Sequence, residues 1–387
     1  MPRIAHVLGT LGTASGGLYT SVRRPAQVMS ADGWPISVVT PEDGTPDDIC
    51  ATWHPTSIYR SSSVGPAAVG ISPGISQALK QAGPDVLHQH GLWTPLFVAA
   101  NLWARRTGCP VVISPRGMLA PWALRQSSLK KKLAWTLYQR RQLRRAACLH
   151  ALTEQEACDV RALGVSAPIA VIPNGVDLPQ RSPSADGTPL ARRRLLFLGR
   201  LHEKKGVANL LAAWAEVCTR APALAAAWQL VIAGWGEPRT ERALKQTATE
   251  LGLDGATLEW RGPVVGAEKD ELLASATAFI LPSLSEGHPM ACLEAAAHGL
   301  PVFATAACNL DDFVAARGAI PISTEPKALA QTLAAQLADP ALPQIGWRAR
   351  NLVTRAYTWT HIADRWAAVY RWLAHGGTPP ADVRFAT

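Results

Sequence analysis

The sequence has no apolar run long enough to cross a bilayer. Its best candidate, residues 221–234, spans 14 residues and is interrupted by Pro222 and Gln229, whereas a transmembrane helix needs about 20 apolar residues. The apolar N-terminal segment is interrupted by His6 and Gly9 and falls short of the apolar core of a secretory signal. These absences predict an uncleaved cytoplasmic protein.

The cysteines lack the spacing that disulfide frameworks and zinc sites use. There are 7 of them, an odd number, and none belongs to a Cys-x-x-Cys pair. The pattern therefore indicates neither kind of site, and we expect mostly small buried thiols.

Acidic residues are missing from one long stretch of a basic chain. The net charge is +9, and no Asp or Glu occurs between Asp85 and Glu154, where Lys and Arg are frequent. This imbalance favours an anionic partner, such as a phosphorylated substrate, an acidic lipid surface or a nucleic acid.

Two successive sets of short apolar runs alternate with helix-length segments. The runs are 3–8, 36–40, 86–90, 111–115, 148–153 and 169–173 in the first set, and 194–199, 229–234, 257–261, 278–281, 301–305 and 319–322 in the second. Continuous apolar strands that alternate with helices predict doubly wound parallel sheets. Since 387 residues exceed one ordinary core, we predict two α/β domains joined by the Pro/Ser/Gly-rich segment 178–193.

After the second set, residues 359–374 carry apolar side chains at helical spacing. Such a stripe needs a surface to cover. The tail 378–387, which follows a Gly-Gly pair, is expected to be loosely ordered.

Doubly wound sheets bind ligands at the carboxyl ends of their strands, where two motifs suit phosphate. Gly16 and Gly17 close a Gly-rich turn before a predicted helix, where small residues and free N–H groups allow close approach to an anion, although the turn could simply be a tight connection. In the second set, a strand ends at Gly199 and is followed by Arg200 and Lys205. Arginine forks onto phosphate oxygens and lysine adds a point charge; a solvated surface cluster is the alternative.

Glu286 and Glu294 are separated by seven residues. Glu286 follows a predicted strand, whereas Glu294 lies inside an apolar helix that Pro289 should begin. A buried carboxylate without a partner is costly, so Glu294 requires a hydroxyl or cationic partner. This pair is the strongest functional signal in the sequence.

The pair resembles the Glu-x7-Glu signature of the retaining glycosyltransferase family 4, whose members have the GT-B fold. Matching segments in the family's order are 16–17, 85–90, 173–177, 199–206 and 233–236. The resemblance covers nearly the whole chain and implies two Rossmann-like domains that face a central cleft, with a C-terminal helix crossing back to the first. The expected boundaries are 1–175 for an acceptor-binding domain, 176–357 for a nucleotide-sugar-binding domain, and 358–387 for the crossing helix and tail.

By this resemblance, Arg200 and Lys205 would hold the donor diphosphate, Glu294 the nucleotide ribose and Glu286 the transferred sugar. His90 would contact the sugar, although His88 lies on the same strand face and the two roles could be exchanged. The other implied donor-binding residues are Gly16, Gly17, Gly234, Val264, Gly287, His288, Pro289 and Met290. His288 stands where an aromatic or other apolar residue is frequent in the family, which weakens any inference about the donor sugar.

The acid-free segment 116–145 is the candidate acceptor or membrane surface. Its candidate contact residues are Arg116, Lys130, Lys131, Lys132, Arg140 and Arg141. A helix there would align Leu129, Leu133 and Leu137, with Arg140 and Arg144 continuing the stripe. Contact with anionic lipid or a lipid-pyrophosphate acceptor competes with a solvated basic face; no nucleic-acid partner is expected, because no binding module is recognisable.

The resemblance thus implies a retaining hexosyltransferase that uses a UDP- or GDP-sugar. The acceptor would be a glycan or an undecaprenyl-pyrophosphate-linked glycan in cell-surface polysaccharide or lipopolysaccharide biosynthesis, at the inner face of the cell membrane. No Asp-x-Asp motif occurs and cations already face the diphosphate, so we expect metal independence and no cofactor. A two-lobe nucleotide-sugar epimerase and a catalytically silent nucleotide-sugar- or glycan-binding protein are the alternatives.

Overall fold

The computed structural model describes residues 1–12, 16–63, 72–126, 128–179, 192–253 and 255–386. The chain divides into two compact units, which we call unit 1 (Met1–Gly175 with Trp359–Thr387) and unit 2 (Val176–Thr358). Most of the predicted linker and part of the first Gly-rich turn lie outside the described residues. Among the described helices, none is long and apolar enough to span a membrane.

Unit 1 is built on an eight-stranded sheet in the order β14-β7-β6-β5-β4-β1-β2-β3. The strands are β1 (Ile4–Val7), β2 (Ile36–Pro41), β3 (Ser57–Ser61), β4 (Val86–His90), β5 (Val111–Ser114), β6 (Cys148–Ala151), β7 (Ile169–Val171) and β14 (Val383–Arg384). Each pairing is parallel except that of β14 with β7. Strands β1, β2 and β4 to β7 are buried along their length, as expected for a sheet with helices on both faces.

The helices of unit 1 connect these strands. They are α1 (Gly17–Ala31), α2 (Asp47–Ala51), α3 (Ile75–Ala82), α4 (Pro95–Thr107), α5 (Pro121–Arg125), α6 (Ser128–Ala134), α7 (Arg140–Arg145), α8 (Glu154–Ala162) and α17 (Trp359–His375), with a π-helical turn (Trp135–Gln139) between α6 and α7. Helix α17 packs against α1 and β4, so the apolar stripe of 359–374 covers unit 1.

Unit 2 contains a six-stranded parallel sheet in the order β10-β9-β8-β11-β12-β13. Its strands are β8 (Arg193–Leu198), β9 (Trp228–Ala233), β10 (Leu258–Gly262), β11 (Ala278–Leu281), β12 (Val302–Ala304) and β13 (Ala319–Pro321). Its helices are α9 (Val207–Arg220), α10 (Pro222–Ala227), α11 (Pro238–Glu250), α12 (Gly266–Ser275), α13 (Met290–Ala297), α14 (Asp311–Ala315), α15 (Pro326–Leu337) and α16 (Leu342–Ala356). The two parallel α/β units confirm the predicted fold class.

The strand orders locate a ligand-binding edge in each unit. The order reverses at β1 and β4 in unit 1, and at β8 and β11 in unit 2. Open α/β sheets bind ligands at the carboxyl ends of the strands where the order reverses. The loops after these four strands are therefore the places to examine.

The prediction of a loosely ordered tail is wrong. Val383 is buried and pairs with Ala170 of β7. Arg365 of α17 donates to a carboxylate oxygen of Asp382 at 2.7 Å, and the carbonyl of Asp382 accepts from the N–H of Val171 at 2.9 Å. The tail is ordered because it completes the edge of the sheet.

Candidate active site

A largely buried pair of opposite charges in unit 2 lies where the strand order reverses. Lys205 follows β8 and Glu286 follows β11, and the Lys205 Nζ to Glu286 Oε1 distance is 2.6 Å. Only 14% of the lysine side chain and 8% of the glutamate side chain are exposed. The structure therefore brings these two predicted site residues together. Because water screens a buried pair weakly, their attraction is strong.

Glu286 is held by neighbours that the sequence did not point to. Ser283 donates its hydroxyl to Oε1 at 2.7 Å, and the N–H of Glu286 donates to the carbonyl of Ala307 at 3.0 Å. The Asn309 amide donates to the carbonyls of Glu286 and Gly287. The carboxylate therefore has a defined orientation. Ser283 lies three residues before Glu286, so the sequence could have indicated it as a partner. Ala307 and Asn309, in the loop after β12, can be recognised as neighbours of Glu286 only from the fold.

The loop then enters α13, with Pro289 as its N-cap residue, as predicted. The N–H groups of Gly287 and Met290 donate to none of the residues that the structure describes. Unpaired N–H groups and the helix dipole make a helix N-terminus favourable for an anion. The predicted backbone contacts to a donor are therefore available at these two residues.

Glu294 has the cationic partner that its position requires. Lys269 of α12 donates to its Oε1 at 2.8 Å, with both side chains less than a third exposed. The sequence predicted that a partner was needed but not which one. Glu286 and Glu294 are thus each paired to a different lysine.

Arg200 is exposed and has no hydrogen bond or ion pair to a described residue. It lines a cavity of about 670 Å³ between α9 and α11, together with Trp235 and Arg239. Nearby, burial lowers the pKa of Lys204, the charges of Lys205 and Arg200 lower it further, and Glu286 opposes them. The loop after β8 is therefore a concentrated source of positive charge.

Two glycines let these loops pack backbone to backbone. A Cβ on Gly234 would overlap the carbonyl oxygen of Gly199, and one on Gly206 would overlap that of Pro282. The N–H of Gly234 also donates to the carbonyl of Gly262 at 2.7 Å. Gly234 thus joins the ends of β8, β9 and β10, a structural role beyond its predicted contact with the donor.

Two other predicted donor-binding residues are buried. The Val264 side chain belongs to the core of unit 2, so only its backbone is available to a ligand. The His288 ring stacks on Tyr357 with 5.8 Å between centroids, and burial lowers its pKa to about 4. The ring is thus held by packing within unit 2, and burial keeps it neutral.

In unit 1, His88 belongs to a chain of buried hydrogen bonds at the carboxyl ends of β4, β5 and β6. Its Nδ1 lies 2.6 Å from the Tyr370 hydroxyl and its Nε2 lies 2.7 Å from Ser114 Oγ. Ser114 Oγ continues to His150 Nδ1 at 2.7 Å, and His150 Nε2 reaches the Ile172 carbonyl at 2.7 Å.

The final carbonyl fixes the direction of every donor in this chain. It can only accept, so His150 Nε2 carries the proton and, in a neutral ring, Nδ1 accepts from Ser114. Ser114 then accepts from His88, and His88 accepts from Tyr370. His88 is fully engaged in structure, which leaves His90 as the better candidate for a substrate contact.

His90 is bonded on both ring nitrogens as well. Its Nδ1 lies 3.3 Å from Arg116 Nη2 and its Nε2 lies 2.8 Å from His6 Nδ1. Because the guanidinium can only donate, His90 donates to His6, and His6 keeps its proton on Nε2. That buried atom has no hydrogen-bond partner among the described residues. The Nε–H of Arg116 is likewise buried without a partner among the described residues, so the cluster offers two buried N–H donors there.

Burial keeps the histidines of this cluster neutral and lowers the pKa of Arg116, its one cation. It lowers the pKa of His6 to about 3 and lowers the pKa values of His88, His90 and His150 well below 6.5, with Arg116 adding to each. Burial also lowers the pKa of Arg116 to about 10. Nitrogens of His6, His88 and His90 lie within 4.8 Å of one another, a spacing that could suit a metal, but a metal ion would lie beside the Arg116 guanidinium.

Arg116 therefore belongs with the histidines and not with the other predicted acceptor- or membrane-contacting cations. Its φ is +55°, and its Nη1 donates to Asn174 Oδ1 at 3.1 Å. The carboxylate of Glu156 accepts hydrogen bonds from the N–H groups of Gly117 and Leu152. The turn that carries Arg116 is thus fixed from two sides.

Gly16 and Gly17 begin α1, and Gly16 has φ +61° as its N-cap residue. A Cβ there would meet nothing within 4 Å, so backbone conformation is what requires glycine. The three preceding residues lie outside the described part of the chain. The open space on Gly16 is compatible with the predicted close approach of a ligand.

The basic segment departs from the predicted regular helix. Lys130, Lys132, Arg140 and Arg141 are exposed, while Lys131 donates to the Ala123 carbonyl. A π-helical turn separates α6 from α7 and shifts the register of the leucine stripe. Arg140 and Arg144 therefore do not continue it as predicted.

Comparison with known proteins agrees with this geometry. Residues 16–175 match the family described as Glycosyl transferase 4-like domain, and residues 192–339 match the family described as Glycosyl transferases group 1. The chain is 29% identical to the phosphatidyl-myo-inositol mannosyltransferase of Mycobacterium tuberculosis across 94% of both chains. It is 31% identical to D-inositol 3-phosphate glycosyltransferase 1 of Catenulispora acidiphila, across 76% of this chain and 73% of that one.

An Escherichia coli relative, UDP-Gal:alpha-D-GlcNAc-diphosphoundecaprenol alpha-1,3-galactosyltransferase, is 26% identical across 77% of this chain and 78% of its own. Among solved structures, sucrose-phosphate synthase of Thermosynechococcus elongatus has a TM-score of 0.77 at 20% identity, covering 97% of this chain and 100% of that one. Anabaena HepE with UDP and glucose has a TM-score of 0.75 at 18% identity, covering 95% and 98%. The chain therefore belongs to the glycosyltransferases of the GT4 type, with the GT-B fold.

Proposed function

We propose that this glycosyltransferase moves a hexose from a UDP- or GDP-sugar to a glycan or lipid-linked glycan acceptor with retention of anomeric configuration. The observation that carries the proposal is the buried Lys205–Glu286 pair at the strand-order reversal of unit 2. It places a cation for the departing phosphate next to a carboxylate for the sugar. Arg200 adds a second cation, which pairs with none of the residues that the structure describes.

Donor binding would use these groups in separate roles. Arg200 and Lys205 would bind the diphosphate, with the N–H groups of Gly287 and Met290 as further donors. Glu294 would accept ribose hydroxyls while Lys269 holds it in place. Cations that are already in place would stabilise the negative charge that develops on the departing phosphate. In enzymes such stabilisation lowers the activation free energy by several kcal/mol.

Retention would follow from attack on the side of the leaving group, with a phosphate oxygen taking the acceptor proton. Glu286 would then orient the sugar and stabilise positive character at its anomeric carbon. In unit 1, His90 would contact the sugar, with its ring held by Arg116 and His6. We propose that the diphosphate needs no metal, because cationic side chains neutralise it; transfer should persist in EDTA.

For the acceptor we propose a lipid-linked glycan at the inner face of the cell membrane. Two of the relatives are named for acting on lipid-borne acceptors, phosphatidyl-myo-inositol and a diphosphoundecaprenol glycan. The exposed cations Lys130, Lys132, Arg140 and Arg141 would meet anionic lipid there, in the pathway of cell-surface polysaccharide or lipopolysaccharide assembly.

The proposal is tested by offering the purified protein a panel of UDP-, GDP- and ADP-sugars. The matching donor should raise the unfolding temperature, and it should be consumed only when an acceptor is added. Consumption without an acceptor and with a changed sugar would identify an epimerase. Stabilisation without turnover on any lipid-linked acceptor would favour a binding protein.

A further inference from the structure

Arg116 lies in the turn after β5, at the carboxyl ends of the strands of unit 1. Its guanidinium contacts His90, the last residue of β4, and Asn174, which follows β7. The next residue, Gly117, donates its N–H to Glu156 of α8, and the Arg116 residue is partly exposed. A cation is therefore held at the edge where open α/β sheets bind ligands.

This guanidinium has more hydrogen-bond donors than partners. Of the five N–H groups of an arginine side chain, one on Nη1 donates to Asn174, and one on Nη2 donates to His90 across 3.3 Å. Nε is buried without a partner among the described residues, and each Nη atom keeps one N–H group that bonds to none of them. Because a buried donor without a partner is costly, the arrangement suits a ligand that supplies acceptor oxygens.

The charge of Arg116 also lacks a contacting counter-charge. Its two side-chain partners are neutral, one an amide and the other the His90 ring, whose pKa burial holds well below 6.5. Glu156 attracts the cation, but the two carboxylate oxygens accept from the N–H groups of Gly117 and Leu152. No ion pair joins Arg116 to a carboxylate in the part of the chain that the structure describes. A bound anion would stabilise a cation that water solvates so poorly.

The backbone of Arg116 is unusual for a residue with a side chain. Its φ is +55°, and that of Gly117 is +77°. The left-handed region favours glycine and destabilises other residues, and such strain persists at sites where the surrounding structure enforces it. The turn alone would therefore favour glycine at this position, so the arginine is explained by its side chain and not by the turn.

We propose that Arg116 binds a phosphate group of the acceptor, so that unit 1 selects an acceptor whose glycan is carried on a phosphate or pyrophosphate. A guanidinium matches phosphate oxygens in charge and geometry, whereas a neutral sugar would not neutralise it. The donor diphosphate already has Arg200 and Lys205 under the proposed function, which leaves the acceptor for Arg116. The inference rests on that proposed function and names the group that identifies the acceptor. The exposed cations of α6 and α7 have no part in it.

The test measures binding of geranyl pyrophosphate, a short soluble isoprenoid pyrophosphate, to the full chain by calorimetry. UDP and GDP are present in excess, so that the nucleotide site of unit 2 is occupied. Arg116→Gln is compared with Arg317→Gln, the same change at an exposed arginine of unit 2 whose φ is +53°. Because R116Q loses a contact between opposite charges, it should bind at least about tenfold more weakly than the wild type, and R317Q should bind equally well. Equal affinities of R116Q and the wild type would overturn the proposal.

A second comparison separates the acceptor phosphate from the donor phosphate and from the fold. R116Q should keep the wild-type affinity for UDP and GDP; a loss of nucleotide affinity with unchanged binding of geranyl pyrophosphate would move the contact to the donor and contradict the proposal. Arg116→Lys keeps the charge and should retain part of the affinity, whereas a loss as large as that of R116Q would attribute the effect to the turn. If R116Q fails to fold, R116K decides, since it should still bind more weakly than the wild type. Binding is measured without turnover, so a failure of the proposed transfer reaction is observed separately.

Discussion

Lys205 and Glu286 stabilise each other as charged groups in a site that is largely shielded from water. Removing either partner of a buried pair leaves an uncompensated charge, which is costly. Ser283 adds a hydrogen bond to the carboxylate, and the N–H groups of Gly287 and Met290, at the start of α13, donate to none of the described residues. An incoming diphosphate would meet charges whose positions are already fixed, which is the condition for electrostatic catalysis.

The histidine cluster predicts a strong dependence of stability on pH. Burial lowers the pKa values of His6, His88, His90 and His150 in the folded chain, whereas the unfolded chain takes up protons below about pH 6.5. Stability present above pH 6.5 is therefore lost as the pH falls toward the folded pKa values, which is about 3 for His6.

Each such histidine should cost about 1 kcal/mol between pH 7 and pH 5.5, so four should cost about 4 kcal/mol. Urea denaturation of the wild type at both pH values measures the loss. His6→Leu removes one titrating group and should reduce the pH slope by about one proton. A free energy of unfolding that is the same at both pH values would show that these histidines are not buried and neutral.

At the scale of the elements, hydrophobic pattern located strands well where helices cover both faces. Each of the twelve predicted runs overlaps a strand, and β11 begins and ends as predicted, at Ala278 and Leu281. Strand β3 was missed because it is polar and half exposed at the sheet edge. Strand β14 was missed because two residues that pair with a distant strand leave no local signal.

Side-chain partners were predicted less well than elements. The sequence indicated that Glu294 needed a cation, but Lys269 could be assigned only once α12 was packed beside α13. Likewise His150 and Tyr370 join His88 through the sheet order and the packing of α17. The π-helical turn was not predicted, and two of its residues, Tyr138 and Gln139, form hydrogen bonds with Trp93, which lies far away in sequence.

Loop packing in unit 2 gives a prediction for Gly234. Its φ is +144° and a Cβ would overlap the Gly199 carbonyl, so Gly234→Ala should destabilise the protein by on the order of 2 kcal/mol or more. Gly255→Ala is the control, since a Cβ there meets nothing within 4 Å. Thermal unfolding compares the two variants, and equal unfolding temperatures would contradict the close packing of these loops.

At the scale of the whole molecule, the candidate site of each unit lies where open α/β sheets bind ligands, at the carboxyl ends of the strands where the order reverses. In each sheet, the principal candidate residues lie at or after the strands at which the order reverses: Gly16, Gly17 and His90 at β1 and β4, and Arg200, Lys205 and Glu286 at β8 and β11. The strand order therefore determines where the candidate residues lie, and the sequence of each loop determines which chemical groups they carry. The Glu-x7-Glu spacing pointed to the segment after β11, and the structure pairs each glutamate with a different lysine, which supports different roles.

The central claim is that Arg200, Lys205 and Glu286 provide the electrostatic environment for glycosyl transfer. The most direct measurement is the transfer rate of Arg200→Ala, Lys205→Ala and Glu286→Ala with the donor identified from the panel, beside Arg220→Ala, an exposed arginine of unit 2 that does not line this cavity, as the control. Each of the three changes should lower the rate by on the order of 10² or more, whereas the control stays near the wild type. Near-normal transfer by all three variants would contradict the assignment.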